Sequence, residues 1–281
     1  MRVLISADME GITGLVSWRQ CGAPRGEHYD FAFARRMMTH DVNAAIRGAR
    51  AAGATEIVVR DAHGTSKNLL IDELEPGIEL ISGNGVTPDG MVTGITHETA
   101  AVFLIGYHAM AGTPHGVMEH TLTGSVHRYW INGRESGEIA MATATAGHYG
   151  VPVVLVTSDD AGCAEAAQLI PGLETVSVKR GVGRYAAQLK SPSVTGPAIE
   201  SAARNALTRR SEIAPWAPRS PVHLRLEHNR TEETDAASLL LGWDRTDGHT
   251  VEMTCPDWPT AHQMTWRAML NATRLGPGLH D

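Results

Sequence analysis

The sequence predicts an α/β protein: a mainly parallel sheet flanked by helices, with a smaller α+β C-terminal domain. Three observations carry that prediction. Short apolar, β-branched runs alternate with stretches of helical periodicity through about the first two thirds of the chain, the pattern of parallel strands joined by helical crossovers. The strongest of these runs end in an acid or a histidine beside a small residue, where an open parallel sheet binds its ligands. A stiff Pro-rich crossing, Ala214 to Pro221, then precedes strands whose side chains alternate. The expected division is 1–190, a catalytic metal-binding unit, and 191–281, a smaller unit that contributes to the substrate pocket and to oligomer contacts.

Arg2-Val3-Leu4-Ile5 has the composition of a buried strand and leads directly into Ser6-Ala7-Asp8-Met9-Glu10-Gly11. Asp8 and Glu10 are two residues apart, so their side chains leave an extended backbone on the same side. Thr13 to Gly26 reads as a loop. His28 to Ala52 has helical spacing, with Phe31, Ala34, Met38, Val42, Ala45, Ile46 and Ala49 on one face and Gly53 as the C-cap. Glu56 to Arg60 is the second strand and delivers Asp61-Ala62-His63. Ile78 to Ser82 is a short strand, and Ala101 to Gly106 a strong one ending in Tyr107-His108.

Ser125 to Ile131 is followed by Asn132-Gly133, a hairpin signal. Glu138 opens an Ala-rich helix that runs to Ala146, where a carboxylate in the first turn is electrostatically favoured. Val151 to Val156 is a buried strand leading to Asp159-Asp160. Cys163 to Leu169 is a helix, Thr175 to Lys179 a strand, and Ile199 to Arg210 a helix. Beyond the Pro-rich crossing come a strand at Val222 to Glu227, a helix at Thr231 to Leu241, a strand at Thr250 to Thr254 and an amphipathic helix from Asp257 to Leu275.

Composition narrows the functional classes. Over 281 residues the chain is 42% hydrophobic and 20% charged, ordinary for a globular protein with a sizeable core. A net charge of −7, with no Lys/Arg run, argues against a nucleic-acid surface. No apolar stretch reaches membrane-spanning length, and the chain begins with its first strand, so a cytoplasmic location without membrane contact is expected. Cys21, Cys163 and Cys255 are scattered and odd in number, which gives neither a disulfide framework nor a paired metal spacing.

The chemistry concentrates in Asp8, Glu10, His63, His108 and Glu138. Three carboxylates and two imidazoles hold too many oxygens for a structural zinc site rich in thiolate, and suit two divalent ions sharing a bridging carboxylate. Three negative charges against two dications leave one positive charge, which a bridging hydroxide neutralises. Such ions bring the pKa of bound water towards ~7 and so supply a nucleophile. The other histidines lack this strand-end context and read as structural or surface groups.

With these stretches, in order and spacing, go Met118-Glu119-His120 and Gly137-Glu138, and together they resemble the DppA-type zinc-dependent D-aminopeptidases. The likeness covers most of residues 1–180 and is weaker beyond. It implies a hydrolase with two Zn2+ per subunit, assembled as a homodecamer around an inner chamber, that releases N-terminal D-amino acids from short peptides by attack of zinc-bound hydroxide. Carried over by position, Asp8 bridges the ions, Glu10 and His108 complete one, His63 and Glu138 complete the other, and His120 is the catalytic histidine. Two features depart from the family pattern. His115-Gly116 lengthens the loop before Met118 and makes His115 a rival to His120, and Ala142 stands where the family tends to carry an asparagine.

Three other readings compete. A zinc amidohydrolase acting on a non-peptide or biosynthetic small-molecule amide needs the same site. A haloacid-dehalogenase-like phosphatase would take Asp8 as nucleophile and Asp159-Asp160 as magnesium acids, but has no use for His63, His108 and His120. A non-catalytic metal-binding assembly protein requires fully ligated ions with no open position.

Overall fold

The computed structural model describes residues 1–22, 29–84 and 87–275. The helix start expected at His28 therefore lies outside the described residues, as does His280. The first strand, β1 (Arg2–Ala7), is followed by α1 (Tyr29–Ala51), β2 (Glu56–Asp61), β3 (Glu79–Ile81) and β4 (Thr99–Ile105). The hairpin β5 (Val126–Ile131) and β6 (Arg134–Glu135) precedes α2 (Glu138–His148). Then come β7 (Val153–Asp159), α3 (Asp160–Leu169), β8 (Glu174–Gly183), β9 (Ala186–Leu189) and α4 (Pro192–Thr208). The chain ends in β10 (Val222–His228), α5 (Thr231–Ser238), β11 (Asp244–Arg245), β12 (Thr250–Cys255) and α6 (Trp258–Leu275).

The main sheet has the order β3-β2-β1-β4-β7-β8-β9, parallel except for the last strand. The α/β class with a mainly parallel, helix-flanked sheet is thus the one the sequence predicts. Val3, Leu4, Ile5 and Ala7 of β1 are fully buried because neighbours cover both edges and helices the faces. Most of the expected apolar face of α1 is buried, at Ala34, Met38, Val42, Ala45, Ile46 and Ala49, whereas Phe31, near the start of the helix, is only half-buried against the core. From β1 the chain moves outward to β2 and β3 on one side and returns to β4 on the other. This makes the β1/β4 boundary a topological switch point.

The second sheet is antiparallel, in the order β11-β12-β10-β5-β6. Asn132 and Gly133 both have positive φ and join β5 to β6 in a two-residue turn, as the Asn-Gly pair predicts. Val222, Leu224, Leu226 and Val251 pack with Trp258, Ala261 and Met269 into a second apolar cluster beneath α6. Relative to a boundary between 190 and 191, Val126–Glu135 joins the sheet of later residues, while α4 lies against α1 and the main sheet.

Several element ends differ from the sequence reading for local reasons. Helix α3 begins at Asp160 rather than Cys163, because Asp159 caps it by accepting the Gly162 N–H at 2.7 Å. Helix α4 begins at Pro192, where the fixed φ of proline suits the first turn. Strand β8 runs four residues past Lys179 and turns back as β9, whose Ala-Ala-Gln-Leu sequence carries little β-propensity and gave no signal.

The exits of β1 and β4 interlock through their backbones. The Asp8 N–H donates to Ile105 O and the Gly11 N–H to Gly106 O, each at 2.8 Å. A Cβ on Gly11 would lie 1.7 Å from the Tyr107 carbonyl oxygen, so the close approach requires glycine. Gly11→Ala is therefore expected to destabilise the protein by at least about 2 kcal/mol through backbone displacement. Urea denaturation measures this, and a loss below about 0.5 kcal/mol, within surface-substitution range, would show that the two turns are not locked together.

Candidate metal centre

The carboxyl ends of β1, β2 and β4 bring their polar residues to one point. Asp8 and Glu10 leave β1 and are both 2% exposed. Their turn is clamped from the far side of the sheet by Lys179 of β8. Its Nζ donates to the carbonyls of Glu10, Ile12 and Leu15, the last two at 3.0 and 2.8 Å. Burial pushes this ammonium down to about 8, so it remains mostly charged at neutral pH. After β2, buried Asp61 accepts from the backbone N–H groups of Asn68 and Leu69 and from Asn68 Nδ2, at 2.6–2.8 Å. Asp61 thus shapes the loop that presents His63. Beyond β4, Gly106 takes a positive φ of 74° before Tyr107 and His108. Glu138 is the first residue of α2, and its Oε1 accepts the Leu122 N–H at 2.7 Å.

All six residues singled out from sequence meet here. His63 Nδ1 lies 3.1 Å from Asp8 Oδ1 and 3.0 Å from Glu10 Oε2. His108 Nε2 lies 3.5 Å from Asp8 Oδ2 and 3.3 Å from Glu138 Oε1. His120 Nε2 is 3.6 Å from Glu138 Oε1, and its ring stacks on His108 with centroids 4.1 Å apart. These contacts set Glu10 beside His63 and Glu138 beside His108. Asp8, Glu10 and His108 also offer atoms within 4.8 Å of one another, so the two halves are contiguous through Asp8. His115, by contrast, is exposed and outside the cluster.

Each imidazole has its other nitrogen against a backbone carbonyl. His63 Nε2 faces Cys21 O at 3.2 Å, His108 Nδ1 faces Ala109 O at 3.0 Å, and His120 Nδ1 faces Met118 O at 3.0 Å. A carbonyl accepts only, so in the tautomer that satisfies it the remaining nitrogen turns a lone pair towards the carboxylates. Lone pair against carboxylate is repulsive unless a cation lies between or the ring takes a second proton. Asp8 Oδ2, Glu10 Oε2 and His108 Nε2 are buried without a hydrogen-bond partner among the described residues. Tethering one histidine nitrogen to a carbonyl while the other meets a metal is the usual outer-shell arrangement of metal sites. The donor set fits divalent cations.

Protonation without a cation follows the same contacts. Burial and the charge of Glu10 push the Asp8 carboxyl up to about 7. Burial opposes ionisation of Glu10 as well, but His63 outweighs it and holds that carboxyl well below its ordinary range. Burial would keep His63 and His108 neutral, yet the facing carboxylates raise both well above the ordinary imidazole value. His120 goes the other way: burial and neighbouring His108 bring it down to about 4.

The centre opens into a cavity of about 1400 Å³ that Asp8, Glu10, His63, His120 and Glu138 line. Trp18 meets the His120 ring edge-on at 4.9 Å and donates from Nε1 to the Tyr185 hydroxyl at 3.2 Å. Sequence reasoning missed Trp18, Tyr185 and Cys21, all on loops with no periodicity to mark them. It also gave Lys179 no role; its position at a strand's carboxyl end was the one available signal. The magnesium acids of the phosphatase reading are engaged elsewhere. Asp159 accepts the N–H groups of Val117 and Gly162, and Asp160 that of Gly181.

Comparison with known proteins gives one consistent answer. The family model Peptidase_M55, D-aminopeptidase, matches residues 1–266. A D-aminopeptidase of Bacillus subtilis (strain 168) is 34% identical over 276 residues, which cover 98% of this chain and 97% of that protein. A solved structure, the Zn-dependent D-aminopeptidase DppA from Bacillus subtilis, described as a self-compartmentalizing protease, superposes with a TM-score of 0.93 at 33% identity. The superposition covers 98% of this chain and 99% of that one.

The protonation pattern predicts how the metal-free protein responds to pH. Asp8, raised from 3.8 to about 7, contributes stability that is complete at low pH and lost as pH climbs towards its native value. His63 and His108, raised above 6.5, contribute stability present below that value and lost above it. Glu10 acts oppositely, but its contribution is already complete above its ordinary 4.5. The melting temperature of the chelated protein is expected to fall from about pH 6.5 to about pH 8, above the range in which the lowered His120, His228 and His262 act the other way, whereas that of zinc-loaded protein rises, because ligands bind metal deprotonated. Scanning calorimetry of both forms checks this, and a chelated protein that gains stability over that interval would contradict it.

Proposed function

The chain belongs to the Peptidase_M55 family of D-aminopeptidases, and we propose that it is a dinuclear zinc aminopeptidase releasing N-terminal D-amino acids from short peptides. The enzyme is a zinc-dependent hydrolase of the aminopeptidase class. The observation that carries the two-ion reading is the position of Asp8. Its two oxygens face different imidazoles, Oδ1 towards His63 Nδ1 and Oδ2 towards His108 Nε2, the two nitrogens that would be free to bind an ion once deprotonated. Asp8, Glu10 and His63 would hold one zinc, and Asp8, His108 and Glu138 the other. Bound there, the ions would supply a water acidified towards ~7 and a Lewis acid for the scissile carbonyl.

His120 handles the proton. Met118 O fixes its Nδ1–H, which leaves Nε2 facing the centre and the cavity. With Nδ1 tethered to Met118 O, the ring could accept a proton from the attacking water through Nε2 and return it to the departing amine. Trp18 and His108 pack against it and limit its rotation. A free Nε2 beside an open cavity is out of place in a merely structural metal site, which argues against the assembly-protein reading. The cavity, at about 1400 Å³, exceeds the ~300–1,000 Å³ of ordinary small-molecule sites and favours a short peptide over a small non-peptide amide. DppA is described as self-compartmentalizing, and the proposal includes a homo-oligomer for this chain, a decamer by resemblance. Leu239 and Leu241, 76% and 95% exposed in the single chain, are apolar surface of the kind subunit contacts cover.

His120→Ala is expected to keep two zincs per chain and to lose about 10²–10⁴-fold in kcat on D-alanyl dipeptides. His108→Ala is expected to lose metal and turnover together. Metal analysis with steady-state kinetics on D- and L-alanyl substrates makes the test. Wild-type turnover in either variant would remove that residue from the site, and equal cleavage of both stereoisomers would remove the D-preference.

A further inference from the structure

Cys21 lies in the turn region after β1, and nothing in the mechanism above uses its side chain. It is 5% exposed, a free thiol, and lines the cavity. Its Sγ, one oxygen of Glu10 and one ring nitrogen of His63 all lie within 4.8 Å of one another. Ligands of a tetrahedral zinc at ~2.0–2.3 Å stand roughly 3.5 Å apart, so these atoms need to close by little more than about 1 Å to share an ion. A buried cysteine is often only a small apolar group. Here a second observation points to a ligand. Glu10 Oε2, in a side chain 2% exposed, has no hydrogen-bond partner among the described residues, although His63 Nδ1 is 3.0 Å away. The carbonyl of Cys21 itself faces His63 Nε2 at 3.2 Å, so the same residue helps orient the ring with Nδ1 towards Glu10.

We propose that the Cys21 thiolate is a fourth protein ligand of the ion held by Asp8, Glu10 and His63, an inference that rests on the two-ion reading. The two halves of the centre are then chemically unequal. One has four protein donors of mixed O, N and S character, a closed tetrahedral shell. The other would have Asp8, His108 and Glu138, with His120 beside them facing the cavity. Ligation releases the thiol proton to solvent, and the soft sulfur favours zinc or cadmium over harder cations. Cys163 and Cys255, buried in other parts of the structure, belong to neither half.

The test is titration of the metal-stripped, full-length protein with Co2+, with bound cobalt counted on the same samples. The expected result is a near-ultraviolet sulfur-to-cobalt charge-transfer band in the wild type, kept in Cys163→Ser and Cys255→Ser and lost in Cys21→Ser. Zinc affinity of the tighter position should fall at least about tenfold in Cys21→Ser, the lower end of what even an outer-shell partner is worth. Protection of the Cys21 thiol from alkylation by bound zinc, read on the wild type by mass spectrometry, makes the test independent of variant folding. Two bound cobalt ions without the band, or alkylation of Cys21 at the same rate with and without zinc, would overturn the proposal while leaving the two-ion reading intact. Failure to bind cobalt at all would overturn both.

Discussion

Asp8 is buried between two histidines, with Glu10 on one side and Glu138 on the other. Taking three carboxylates out of water costs several kcal/mol each unless opposite charge stands against them. The protein supplies imidazoles whose second nitrogens are tied to carbonyls, which orients them but brings too little positive charge. A cation-shaped requirement is therefore built into the side chains themselves. The fold around them serves to keep this costly arrangement from relaxing.

The main sheet does so through its topology. β1 lies between β2 and β4, so three adjacent strand ends deliver ligands to one crevice, and α2 adds Glu138 from its first turn. Loops alone would let like charges drift apart. Here the β1 and β4 exits are stitched backbone to backbone at Asp8–Ile105 and Gly11–Gly106. Lys179 reaches across from β8 and occupies its three donors on the carbonyls of the same turn. Thr13 adds a further tether, donating from its backbone and hydroxyl to the buried Asp41 carboxylate of α1. The ligand turn after β1 is thus fixed by the main sheet and by α1, and rigidity at the site comes from long-range contacts.

Most of this was legible in the sequence where a periodic signal met a chemical one. Strands β1, β2 and β4 announce themselves as continuous apolar runs, and Asp8, Glu10, His63 and His108 follow directly from where those runs stop. Glu138 was legible as the start of an Ala-rich helix, and His120 only through the resemblance. What stayed hidden has no period. Cys21, Trp18 and Tyr185 sit on irregular segments whose placement depends on tertiary packing. The pairing of ligands also required coordinates, because spacing along the chain does not say which imidazole approaches which carboxylate. Likewise, no local pattern could reveal that Val126–Glu135 joins strands about ninety residues later, since strand pairing across such a separation is set by the whole fold.

The central claim is that one carboxylate, Asp8, joins two ions. Anomalous X-ray scattering at the zinc edge from crystals of zinc-loaded protein tests it most directly. The account predicts two peaks about 3.5–4 Å apart, one on the His63 side of Asp8 and one on the His108 side. A single peak, or zinc held away from Asp8, would contradict it.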